Sequence, residues 1–202
     1  MTLKFAVLAG LGAAALAAGP ALAQEWYVGL YYHDVTFVGD FVGLGAAGRE
    51  SGTQDLQIGY RTDRIDSLGW LGRPNAHAFV SINSDNMSNF AAVGLGWPIA
   101  LGERFYFRPG LGLAYTDGKA GLPPANAPNL TPQERARRTA LYYNRIDFGS
   151  KLLFQPELAL GFRFNERFAG ELSYNHLSNG QIFHRGKNQG LDDIGLRLVY
   201  SH

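Results

Sequence analysis

His176, Ser178 and Asp192 are the residues of this chain whose types could do chemistry together. In "SYNHLSNG", residues 173 to 180, histidine and serine stand two positions apart, so a strand places both on one face and a helix separates them. A serine hydroxyl is a weak nucleophile until an imidazole takes its proton. A carboxylate on the far ring nitrogen then fixes the tautomer and stabilises the positive charge that results. Asn179 adds an amide that could donate to an oxyanion, although its parity points to the opposite face. The chemistry such a set performs is acyl transfer from an ester.

These residues converge only if a sheet positions them. Met1 to Ala23 reads as an export signal, with Lys4 at its basic start, an apolar stretch from Phe5 to Ala18, and Ala21-Leu22-Ala23 as the cleavage motif. The mature domain is expected over 24–202. That region has no apolar run near the ~20 residues of a membrane helix. Yet the 202-residue chain carries 26 glycines and 13% aromatic residues.

Apolar residues instead alternate with polar or small ones in eight segments. The first four are marked by Trp26–Tyr32, Asp55–Arg61, His77–Ile82 and Ala91–Trp97. The later four are Phe105–Leu113, Lys151–Arg163, Phe168–Asn175 and Asp193–Tyr200. An even number of such segments suits an all-β fold, an eight-stranded antiparallel transmembrane β-barrel with long extracellular loops. Charged residues of the inward parity, Arg108, Glu157, Arg163, Glu171 and Arg197, predict a plugged lumen rather than a pore. A soluble β-sandwich would need an apolar inner face. Trp26, Trp97, Phe105, Phe164 and Tyr200, near segment ends, suit membrane-interface belts.

Alternation also sets the faces of the candidate site. Phe168, Leu172, Tyr174, His176 and Ser178 share the lipid-facing parity of the seventh segment. In the eighth, Ile194, Leu196, Leu198 and Tyr200 face outward, and extending that row reaches Asp192, not Asp193. A register that places 190 opposite 178 places 192 opposite 176 and gathers the three groups on the outer wall. With both termini periplasmic, the connections near 34–52, 83–89, 116–145 and 179–190 are extracellular, and the site lies near that rim. In the third of these, Thr131, Pro132 and Glu134 predict the start of a short surface helix. Its Arg135, Arg137 and Arg138, like His184, Arg185 and Lys187 in the last loop, lie within reach of lipid phosphates or face solvent.

"SYNHLSNG" followed by "NQGLDDIGLRLVY" resembles the signature of the lipid A 3-O-deacylase family (PagL), and "FGSKLLFQPELALGFRF" resembles that family's sixth strand. The match covers residues 146 to 200. The resemblance implies an eight-stranded outer-membrane barrel that hydrolyses the ester-linked acyl chain at the 3-position of lipid A. It implies triad roles for His176, Ser178 and Asp192 and an oxyanion role for Asn179. The acid is Asp192 where the family pattern has glutamate, one methylene longer, which makes reach to His176 the point to test. Leu172, Tyr174, Ile194 and Leu196 are the wall against which acyl chains would lie, and lipopolysaccharide and other outer-membrane lipids are the implied partners.

The remaining composition narrows the field. There is no cysteine, so thiol and disulfide chemistry is excluded. The net charge of +1 argues against a nucleic-acid partner. His33, Asp34 and His77 are read as rim or lumen residues without a convergent ligand set, so no metal and no cofactor is expected. Homodimerisation stays open. The rival functions are a non-catalytic structural or adhesive barrel, and an acyltransferase that passes the acyl group to another lipid.

Overall fold

Period-2 alternation with β-branched and aromatic residues dictates strands whose two faces meet different surroundings. A computed structural model of the chain describes residues 24–36 and 49–202. The export signal expected over 1–23, and most of the first long connection, lie outside the described residues. The strands are β1 (Glu25–Tyr32), β2 (Gln54–Arg64), β3 (Asn75–Asn83), β4 (Phe90–Gly96), β5 (Ile99–Ala100), β6 (Phe105–Thr116), β7 (Leu152–Arg163), β8 (Phe168–Leu177) and β9 (Leu191–Ser201). Each long strand is antiparallel to its neighbours in the order β4-β3-β2-β1-β9-β8-β7-β6, and a β4–β6 pairing closes the ring.

β5 is not a ninth stave. Ile99 pairs with Phe107 in the same register that sets Gly96 opposite Gly110, so β5 prolongs β4 along β6. Pro98 interrupts the two because it has no N–H for the ladder. The barrel therefore has eight staves, as alternation predicts.

Connections differ sharply between the two ends. Those at 33–53, 84–89, 117–151 and 178–190 leave one rim, while 65–74, 101–104 and 164–167 leave the rim that carries both termini. The predicted surface helix is present as α1 (Pro132–Asn144), with Thr131 Oγ1 accepting from Glu134 N at 3.2 Å and proline at its first position. Trp26, Trp97, Phe105, Phe164 and Tyr200 all fall at the rim of the termini. There Trp26 meets Tyr60, Phe105 meets Phe162, and Tyr200 meets Phe168 at ring separations of 5.1, 4.8 and 5.3 Å. They form an interfacial girdle.

The outward rows are apolar and open, with Leu30 and Leu196 each 68% exposed. Inward rows are polar and buried. Arg61 grips Glu171 through two hydrogen bonds of 2.6 and 2.9 Å, and Arg197 bridges Glu157 and Glu171 at 3.0 and 2.8 Å. Arg108 completes the layer on Glu157, and Tyr106 donates to Glu171 at 2.7 Å. The Tyr27 ring lies between the Arg61 and Arg197 guanidinium groups, at 4.5 and 4.8 Å. Gly59 makes room for it, since a Cβ there would stand 2.3 Å from Tyr27 Cζ.

One member of the predicted network is misplaced. Arg163 is exposed and lies over the Tyr106 ring at 4.7 Å. It ends β7 at the short turn, where a long side chain escapes to solvent, and Arg61 occupies the network instead. Among the described residues no helix is long and apolar enough to cross a membrane; the strands do so.

Candidate functional site on the outer wall

β8 and β9 pair in the register that sets His176 opposite Asp192, so cross-strand geometry brings imidazole and carboxylate together. His176 Nδ1 lies 2.6 Å from Asp192 Oδ1. The shorter acid reaches after all, because directly opposed residues in an antiparallel pair stand close enough for a one-methylene stem. The same oxygen accepts a hydrogen bond from Tyr174 Oη at 2.6 Å. Asp192 Oδ1 thus meets two partners, and with Nδ1 turned to the carboxylate the other ring nitrogen, Nε2, points away from it. The His176 side chain is 35% exposed and that of Asp192 14%.

Gly190 stands opposite Ser178 in the continuation of this register. A Cβ at 190 would come within 2.7 Å of His176 Cε1 and 3.4 Å of its Nε2. The free edge of the ring is thus turned toward the Ser178–Gly190 level, and only glycine leaves it that room. Ser178 itself is anchored by its backbone to β7, donating to Phe154 O at 3.2 Å and accepting from Phe154 N at 2.7 Å. Among the described residues no hydrogen bond joins its hydroxyl to His176. The fold brings His176 and Asp192 together and places Ser178 on the same face one step beyond.

Asn179 departs from its expected role. Its side chain is fully buried and gives its amide protons to Phe148 O and Lys187 O, each at 2.7 Å, while Oδ1 accepts from Gln181 N. Its own N–H goes to Asn188 Oδ1 at 2.8 Å. The inward parity decided the matter: Asn179 ties the last loop to the segment before β7 and has no donor left for an oxyanion.

Below His176 and Asp192 the wall forms a groove of about 910 Å³ between β8, β9 and β1. Leu172, Ile194 and Leu196 line it together with Val28, Leu30 and Leu198. Tyr174, expected on the same wall, sits above the groove and turns its hydroxyl to Asp192. That second support for the acid was missed in the sequence; the signal for it was the Tyr174–Ile194 pairing, which leaves 192 diagonal to 174. A second hollow of about 630 Å³ opens among the long connections, with Arg135, Tyr142, Tyr143, Asp147, Lys187 and Gln189 on its walls. Lys187 Nζ lies over the Tyr142 ring at 5.4 Å. Arg137 and Arg138 are committed to Glu134 and do not enter it.

His77 Nε2 lies 3.2 Å from Gln155 Oε1. The expectation that no ligand set converges on His33 fails, since His33 meets Asp55 and Asp193 inside the lumen. Barrel closure brings β9 and β2 to either side of β1, a juxtaposition no local spacing reveals.

A closed ring of eight strands with an apolar exterior and a plugged polar lumen defines a small transmembrane β-barrel, here with a His–Asp pair on its outer wall. The family model for "Lipid A 3-O-deacylase (PagL)" matches residues 54–201, and the chain belongs to that family of bacterial outer-membrane lipid A deacylases. Among solved structures it is similar to the outer-membrane enzyme PagL, with a TM-score of 0.51 at 12% identity over 87% of this chain and 97% of that one. It is also similar to a de novo designed transmembrane β-barrel, with a TM-score of 0.50 at 11% identity over 91% of this chain and 98% of that one. At such identities these likenesses speak for the fold alone. A comparison with curated proteins gives no significant match.

Proposed function

We propose that the chain removes the ester-linked acyl chain at the 3-position of lipid A, with Ser178 as nucleophile, His176 as general base and Asp192 as the group that orients and charges the imidazole. The observation that carries this reading is the His176–Asp192 contact on the lipid-facing side of β8 and β9, directly above an apolar groove. Tyr174 acts through Asp192 as a positioning residue.

Ser178 Oγ attacks the ester carbonyl as its proton passes to His176 Nε2. The C–O bond to the sugar then breaks, and the sugar alkoxide takes the proton from His176. Water attacks the resulting acyl-serine by the same base, releasing a free fatty acid and regenerating the serine. The acyl chain lies in the groove along Leu172, Ile194 and Leu196. The rim with the long connections faces the exterior, which presents the site to the outer leaflet, and Arg135 and Lys187 meet headgroup phosphates in the loop hollow. The Ser178–His176 contact closes on substrate, as hydrogen bonds of this kind commonly tighten only in the reacting complex.

The test is mass spectrometry of lipid A incubated with refolded protein, wild type beside Ser178→Ala. Loss of one 3-linked hydroxyacyl chain with wild type alone supports the reading. An acylated acceptor in place of free fatty acid would turn it into an acyltransferase. Unchanged lipid A with folded wild type would leave a structural barrel.

A further inference from the structure

The sequence "LDD" sends its two carboxylates to opposite sides of the wall: Asp192 outward, Asp193 inward. Behind the outer-wall site, three adjacent strands each aim one ligand-bearing residue into the lumen at one level. His33 follows β1 and stands opposite Asp193 in the continued β1–β9 register, while Asp55 comes from β2 on the other flank. All three are buried, and one ligand atom from each lies within 4.8 Å of the others. His33 Nδ1 is 3.0 Å from the Asp55 carboxylate and 3.6 Å from Asp193 Oδ1. Bonds of about 2.0–2.2 Å from a tetrahedral or octahedral metal to N and O ligands place neighbouring ligand atoms about 3–3.5 Å apart.

Charge and hydrogen-bond supply point the same way. Asp55 receives Ser81 Oγ and Asn83 Nδ2, each at 2.8 Å, and Glu50 is paired with Arg145 at 2.7 Å. Asp34, with Arg49 nearby, accepts from Glu50 N. Asp193 Oδ1 accepts from Asp34 N at 3.2 Å, whereas among the described residues Oδ2, in a fully buried side chain, has no donor. A buried carboxylate oxygen without a donor is costly, and a cation beside it offsets that cost.

We propose that His33, Asp55 and Asp193 bind a divalent cation of the zinc class inside the lumen, directly behind the outer-wall site. One imidazole among carboxylates suits zinc, whereas calcium and magnesium favour all-oxygen shells. Glu50, 3.3 Å from His33 Nε2, then orients the ring from behind as the outer partner of a ligating histidine does.

Titration calorimetry with ZnCl2 on the refolded full-length barrel tests the site. One zinc is expected per chain, with affinity at least tenfold weaker in Asp193→Asn and in His33→Gln and unchanged in His184→Ala, which removes an exposed loop histidine. Folding of each variant is checked by its heat-modifiable migration. X-ray absorption of zinc-loaded wild type needs no variant, and a shell of oxygens with a single imidazole is expected. No zinc uptake by wild type, equal affinity in Asp193→Asn, or a shell with several imidazoles would overturn the proposal.

Discussion

The middle of the lumen and the outer-wall site use the same kinds of groups and complete them to different degrees. In the lumen Glu171 accepts from Arg61, Arg197 and Tyr106, and Glu157 is shared by Arg108 and Arg197. On the wall, Asp192 Oδ1 takes two partners, but among the described residues no hydrogen bond engages His176 Nε2 or the Ser178 hydroxyl. A closed network yields rigidity. An open one, mounted on that rigid ring, leaves acceptor and donor capacity for a substrate.

The sharpest way to break the comparison is Ser178→Ala. Deacylation should fall at least about 10⁴-fold, as for other triad nucleophiles, while the heat-modifiable shift of the folded barrel stays unchanged. Next is Glu171→Ala, which strands buried guanidinium groups. We expect about 3–5 kcal/mol of lost stability, read from urea unfolding in liposomes, with kcat of the folded fraction nearly unaltered. Were kcat to fall in parallel with stability, wall and lumen would not be separable.

Gly190→Ala sharpens the picture at the site itself. Its Cβ displaces the His176 ring, and misplacement on the scale of 1 Å lowers kcat by about 10²-fold with little change in KM. Tyr174→Phe removes one of two donors to Asp192; about a tenfold loss in kcat is expected, the size of a hydrogen bond to a charged group, and an unchanged kcat would deny it a positioning role.

The smallest effect belongs to α1. Arg137 and Arg138 hold the Glu134 carboxyl down to about 2. A depressed acid stabilises the fold above its unfolded value near 4.5 and loses that contribution as pH falls through about 2. Loop proteolysis of wild type should therefore rise across that window, and Glu134→Gln should flatten the change. The pair is solvent-exposed, so the difference will be slight.

Sequence alternation was enough to read both walls, because a period of two assigns every residue in a strand to one side. It put His176, Ser178 and Asp192 on one face; the register that sets 192 opposite 176 had to be assumed, and β8 and β9 pair in it. It also read the Thr131 cap of α1, whose partner lies three residues away. What escaped it depends on distant chain. Asn179's amide goes to carbonyls of Phe148 and Lys187, in two different connections. His33 finds its acids only when β1 is clasped between β2 and β9. Arg163 has the right parity for the lumen and the wrong height, and height depends on how far each strand slides past its neighbour.

The Asp192–Asp193 pair has a consequence for how this gene can change. Codons gained or lost at the exposed turn of 184–186 alter only a loop and can be absorbed there. One codon inserted inside 191–201 reverses the facing of part of the strand, sending lumen carboxylates and arginines into hydrocarbon and apolar residues into the polar lumen. Point substitutions can revise either side independently, but indels in this stretch strike both at once. Natural length variation should accordingly pool in the connection and be purged from β9.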